Sequence, residues 1–253
     1  MTVPHLIIAA IAAVIAGFIN AIAGGGTLIT FPILVALGLP AVTANVTNTV
    51  ALCPGYLSGT LAQRKDLKGQ AMKLRILIPL SLLGGIIGGW LLISTEEKNF
   101  RIIIPYLILL ASILLALQSQ VKSWIARHNL MNKEENLAKS PLLILLLLAA
   151  VYGGYFGAGV SVIVLASLAI IYSGSITKLN ALKQVISFSI NISAAIYFCF
   201  TGKVDWLTAL VMAVGAIIGG SLGGKLSSGI KPGILRWSVV VIGFAVAVYY
   251  FIY

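Results

Sequence analysis

The chain is poor in charge. Only 9% of its 253 residues are charged, and just six are acidic. A soluble domain carries about 25% charged residues, so a water-solvated globule is excluded. No Asp, Glu or His falls inside an apolar run. General acid–base chemistry therefore has few candidates there, and a membrane enzyme acting on a lipid or thiol is the weaker reading. The two cysteines, Cys53 and Cys199, stand alone in apolar runs, and no Cys/His cluster with metal-ligand spacing exists. They are expected to be buried thiols acting as small hydrophobes. The Gly-x-x-x-x-Gly-Lys-Ser/Thr phosphate loop is missing, which argues against nucleotide hydrolysis. So is the strict alternation of a membrane barrel.

What the chain does have is apolar length. Runs cover roughly 6–23, 28–39, 41–62, 74–93, 102–118, 141–157, 160–173, 176–201, 207–224 and 234–252. Lipid cannot satisfy backbone polar groups, so these runs are read as helices, and the fold as an all-α polytopic membrane protein. The Met1–His5 start has no basic stretch before the first run, so that run is expected to be a retained span rather than a cleaved signal. The net charge of +11 sits in short loops between the runs. That is the mark of cytoplasmic loops rather than of nucleic-acid binding, and no nucleic-acid partner is expected.

The chain is also written twice. Leu83–Gly84–Gly85–Ile86–Ile87–Gly88–Gly89 recurs as Val214–Gly215–Ala216–Ile217–Ile218–Gly219–Gly220. A glycine cluster precedes each copy: Gly24–Gly25–Gly26 in the first half, Gly157–Ala158–Gly159 in the second. The expected organisation is a first repeat over 1–118, a cytoplasmic connector over 119–140 and a second repeat over 141–253. Each repeat would hold three full spans plus a hairpin built on a short helix. Residues 28–39 make a helix of ~18 Å and 160–173 one of ~21 Å, against a hydrocarbon core of ~30 Å. Short or glycine-interrupted segments at matching places in two halves point to a transporter's binding site.

Loop charge sets the direction. Loop 63–75 carries Arg64, Lys65, Lys68, Lys73 and Arg75 against Asp66 alone, and 225–236 carries Lys225, Lys231 and Arg236 with no acid. Loops 94–101 and 202–206 are balanced. Basic loops inside and balanced loops outside require the second half to be inverted relative to the first, with both termini outside.

The glycine clusters carry the expected chemistry. A helix start presents unpaired N–H groups and a partial positive charge, and glycine lets a ligand approach the backbone. Thr27 and Ser161 stand at the two short-helix starts and are expected to cap them. Two such starts meeting at the midplane would hold an anion. Asn20 and Thr47–Asn48, with Thr177, Asn180 and Gln184 in the second half, are too polar for lipid and are read as facing the bundle or a cavity. Lys183 lies ~7–10 Å inside its span by helical rise. It either binds an anion or snorkels to the interface. Gly84, Gly85, Gly88, Gly89, Gly215, Gly219 and Gly220 are read as helix-packing residues. Trp90, Trp124, Trp206 and Trp237 fit an interfacial belt.

The run Ala16–Gly17–Phe18–Ile19–Asn20–Ala21–Ile22–Ala23–Gly24–Gly25–Gly26–Thr27–Leu28–Ile29–Thr30–Phe31–Pro32 resembles the opening of the sulfite exporter TauE/SafE family. So do Thr47–Asn48, Gln63–Arg64–Lys65 and Gly153–Gly154–Tyr155–Phe156–Gly157–Ala158–Gly159. The resemblance implies a bacterial or archaeal inner-membrane permease for small anions such as sulfite, sulfoacetate or other organosulfur compounds. It maps the family's glycine-rich turn onto Gly24, Gly25 and Gly26, and its polar helix start onto Thr47 and Asn48. In the second half the match is looser, with Ser161 after the turn and Lys183 and Gln184 at the polar positions. The expected substrate-binding set is thus Asn20, Gly24, Gly25, Gly26, Thr27, Thr47, Asn48, Gly157, Gly159, Ser161, Lys183 and Gln184. No cofactor is expected. A proton or sodium ion is left open as coupling ion, and a homodimer is left open as assembly. An anion channel of the same fold is the alternative.

Overall fold

A computed structural model describes residues 2–22, 24–128, 143–172, 175–226 and 232–252. The described residues form ten α-helices and one 3-10 turn, with no strand among them. The helices are α1 (Val3–Ile22), α2 (Thr27–Ala36), α3 (Ala41–Ala62), α4 (Ala71–Ser94), α5 (Glu97–His128), α6 (Leu143–Tyr155), α7 (Val160–Ile171), α8 (Ile176–Cys199), α9 (Trp206–Leu226) and α10 (Pro232–Ile252). The all-helical expectation for a multi-pass membrane protein is met. Among the described residues, six helices are long and apolar enough to cross a membrane: α1, α4, α5, α8, α9 and α10. The membership differs from the expected full spans. α1 qualifies, in keeping with its reading as a retained span, and α3, one of the expected full spans, does not, because its polar opening lowers its hydropathy despite 22 residues. α5 runs on to His128, past the expected repeat boundary at 118, and the rest of the 119–140 connector lies outside the described residues.

Small residues set the packing. α1 buries Ala9, Ala12, Ala13, Ala16 and Gly17 on one face and exposes Ile7, Ile8, Ile11 and Ile15 on the other. The small face lies on α9: a Cβ on Gly219 would overlap the Val14 carbonyl oxygen, and one on Gly215 would sit 2.7 Å from Ala10 O. Gly223 meets Phe18, so the two helices run in the same direction. α4 and α6 repeat the arrangement, with Gly84 against Ala150 and Gly88 against Val151 and Tyr155. Without a hydrophobic drive between helices in lipid, close van der Waals contact through glycine and alanine supplies the association. The glycines of both copies of the repeated motif thus serve packing, except Gly220, which also borders a cavity.

α3 and α8 cross in opposite directions. The end of α3 meets the start of α8 where the Thr60 hydroxyl donates to Gln184 O (3.2 Å). The start of α3 meets the chain after α8 where Asp205 N–H donates to Thr47 Oγ1 (3.0 Å). The large exposed apolar side chains, Trp90, Trp124, Trp206 and Trp237 among them, lie on the outer surface of the bundle, where lipid replaces water at no cost to apolar groups.

Candidate substrate site

The hairpin turns build the centre. α1 ends where Gly24 N–H reaches back to Ile19 O (3.0 Å), and Gly24 and Gly25 then take φ of +82° and +94°. α6 ends alike: Gly157 N–H reaches Tyr152 O (3.3 Å), with Gly157 at φ +77° and Gly159 at +73°. Left-handed backbone of this kind favours glycine, which has no Cβ to clash. Gly26 has ordinary helical φ but needs to be small, since a Cβ there would lie 2.6 Å from Ala16 O.

Both turns open onto one cavity of about 440 Å³. Asn20, Gly24, Gly25 and Thr27 line it from the first half; Gly157, Gly159, Ser161, Lys183 and Gln184 line it from the second. These nine expected residues are brought together. Three are not part of the lining. Gly26 packs behind the turn. Thr47 is buried and accepts the Asp205 amide hydrogen bond. Asn48 is buried on α3 and is not among the lining residues, although Leu52, one turn on, is.

Some local roles differ from those expected. Neither Thr27 nor Ser161 caps its helix. Gly26 and Gly159 occupy the cap positions with no side-chain bond, and the two hydroxyl residues fall inside the first turn. Asn20 turns its Oδ1 back to accept from Gly26 N–H (2.7 Å). It therefore satisfies one orphan amide of α2 and fixes the turn. Cys53 is buried as expected, but Cys199, the last residue of α8, is exposed.

The sequence reading missed Lys122 and Asp66 as cavity residues. Lys122 sits on the extended end of α5, and Asp66 on the 3-10 turn Arg64–Leu67, which follows α3. Both had been assigned to solvated basic loops. A helical period carried through 119–128 would have been the signal for Lys122. Gln63, Thr177 and Asn180 complete the polar wall, and Thr177 is exposed at the face that carries the basic loop 63–75.

Beyond the turns, on the other side, the centre is closed. The Phe31 ring packs edge-on to Phe100 and Phe156 (centroids 6.4 and 5.3 Å), and Phe100 meets Tyr155 at 5.8 Å. Phe31 and Phe100 are fully buried and Phe156 is nearly so. Asn45 Nδ2 donates to Tyr155 O (2.8 Å), and the Thr95 and Tyr155 hydroxyls share a bond of 3.3 Å. The Glu97 carboxylate accepts from the Ala41 and Val42 amides at the start of α3, where a negative charge suits the helix dipole.

A buried polar cavity at the meeting of two broken-helix hairpins, inside a bundle of membrane-length helices, is the architecture of a membrane transporter. Comparison with known proteins agrees. The sulfite exporter TauE/SafE family profile matches residues 9–250, and the chain belongs to that family. It is 29% identical over 233 residues to a "Probable membrane transporter protein" of Haemophilus influenzae, covering 91% of this chain and 88% of that one. It is 27% identical over 236 residues to the "Probable membrane transporter protein YfcA" of Escherichia coli K12, covering 91% and 83%. A third relative, "Probable membrane transporter protein ORF9" of Sinorhizobium sp., is 25% identical over 244 residues, covering 94% and 89%. No solved structure matches.

Proposed function

We propose that the protein is a secondary transporter of small sulfur oxyanions or organosulfur anions, sulfite or sulfoacetate for example, across the inner membrane of a bacterium or archaeon. The observation that carries this reading is the cavity itself: the starts of α2 and α7 and the Lys183 ammonium face one space. Helix N-termini and a cation together favour an anion. An anion entering from the basic face would meet Lys122 first and Lys183 deeper, with Gln184, Thr27 and Ser161 as neutral partners. The chemistry needed is binding and release, which the donors of the lining serve; Asp66 is the one carboxylate among the described lining residues.

Alternating access between inverted halves is the mechanism we infer. The opposite running of α3 and α8, and the parallel seams of α1 with α9 and α4 with α6, support halves related by a two-fold axis in the membrane plane. Beyond the glycine turns the Phe31, Phe100 and Phe156 rings pack together and are buried, which supports a carrier over a continuous pore.

Counterflow in proteoliposomes tests the reading. Vesicles preloaded with unlabelled sulfite, sulfoacetate or thiosulfate should transiently accumulate the labelled anion above equilibrium. Dissipation without overshoot would indicate a channel. No flux for any of these anions, with protein shown to be folded, would overturn the substrate class.

A further inference from the structure

The closed side holds a polar feature that packing does not explain. Asn45 Oδ1 and Asn48 Oδ1 on α3 are buried with no hydrogen-bond partner. Buried polar atoms are nearly always bonded, and an orphan is costly to keep. Tyr172, Ser187 and Arg236 also carry an unpartnered buried atom, so what singles out Asn45 is its bond across the two halves.

The repeat supplies a reason. Pro40 and Ser175 precede α3 and α8 as their cap residues. Counting from each cap, Asn45 matches Asn180, and Asn48 matches Lys183. The turns match likewise. Gly24 N–H bonds Ile19 O as Gly157 N–H bonds Tyr152 O, so Ile22 matches Tyr155, each two residues before the first turn glycine. Asn45 therefore donates to Tyr155 O in the closed half (2.8 Å). The equivalent bond in the open half, from Asn180 to Ile22 O, is not made, and Asn180 and Ile22 both face the cavity.

We propose that Asn45 and Asn180 are reciprocal latches, and that Asn45 and Asn48 line the second mouth of the anion path, shut in this state. Opening that mouth breaks Asn45–Tyr155 and exposes the two orphaned oxygens to water. Closing the present cavity forms Asn180–Ile22. Asn48 occupies in the second mouth the place that Lys183 holds in the first, so the anion meets a neutral amide there and a cation here. The inference rests on the alternating-access reading above.

The test is labelling by a membrane-impermeant thiol reagent applied separately to each face of oriented membrane vesicles. The background is Cys53→Ala with Cys199→Ser, and the reporters are Asn48→Cys on the closed side and Ser161→Cys in the cavity. Asn45→Ala removes the bond and leaves the Tyr155 carbonyl without it, which outweighs the relief of the Asn45 Oδ1 orphan, so labelling should rise about two- to fivefold at Asn48→Cys and fall at Ser161→Cys. Asn180→Ala should shift both reporters the other way. Tyr155→Phe keeps the backbone carbonyl and severs only the Thr95 contact, so it should raise labelling at Asn48→Cys by a smaller factor. If Asn45→Ala does not reach the membrane, Asn180→Ala reads the same equilibrium from its other end. Reporters that do not move, or that rise together, would overturn the latch. Labelling is read without any substrate. Reciprocal shifts without anion counterflow would leave the latch standing and overturn the substrate class, and counterflow with unmoved labelling would do the reverse.

Discussion

α3 and α8 occupy matching places in the two halves, yet their surroundings differ. On α8, Asn180, Lys183 and Gln184 face the cavity. On α3, Asn45, Thr47 and Asn48 are buried, tied to Tyr155 and Asp205 or left without a partner. Part of the difference is composition, since the cation appears only in the second half. The rest is arrangement. Amide side chains at the same distance from their helix starts line the cavity on α8 and are enclosed on α3.

Removing the charge that distinguishes the halves should have the largest effect. Lys183→Gln should cut kcat/KM for the anion roughly ten- to hundredfold, the equivalent of a charged hydrogen bond worth about 1.5–3 kcal/mol, with folding retained. Unchanged transport would leave Lys183 as a snorkelling residue and the comparison without its electrostatic side. The packing seams come next. Gly219→Leu drives a side chain into the Val14 backbone and should lower stability by about 1–3 kcal/mol or more, read as a lower Tm in detergent. Gly55 on α3 has nothing within 4 Å of where its Cβ would lie. Gly55→Ala should therefore leave the fold intact or gain about 0.5–1 kcal/mol of helix stability. Equal effects at the two glycines would break the distinction between seam and cavity wall.

Smaller effects sharpen the picture. Lys122→Gln, nearer the exposed mouth, should raise KM roughly threefold with kcat kept, because a partly solvated charge contributes about 0.2–1 kcal/mol. A loss as large as that of Lys183→Gln would move the binding position outward along α5. The smallest effect is expected at Arg101, whose side chain is 61% exposed beside Glu97 (3.3 Å). Arg101→Ala should change stability by less than about 1 kcal/mol, whereas Glu97→Ala removes the acceptor for two α3 amides and should lower the Tm further.

Apolar runs, short helices and glycine clusters were readable from the order of residues alone, because each depends on a local period or on a backbone angle that few residues adopt. Lipid then leaves helix as the only way to satisfy the backbone. The near-repetition of Gly84–Gly89 as Gly215–Gly220 was equally visible in the sequence. Tertiary structure decided which polar groups share a space. Lys122 and Asp66 looked like solvated loop charges, and α5 had to continue to His128 before Lys122 could face the cavity. Thr47 and Asn48 read as binding residues; in the fold Thr47 accepts the Asp205 amide hydrogen bond and Asn48 is buried on α3. Asn20 was recognised as important, but its bond to Gly26 could be seen only once the turn had folded back. Sequence thus determined the elements and their polarity, since both are local. The sharing of a cavity depends on contacts between residues more than a hundred positions apart, such as Asn45 with Tyr155, and no local pattern encodes such contacts.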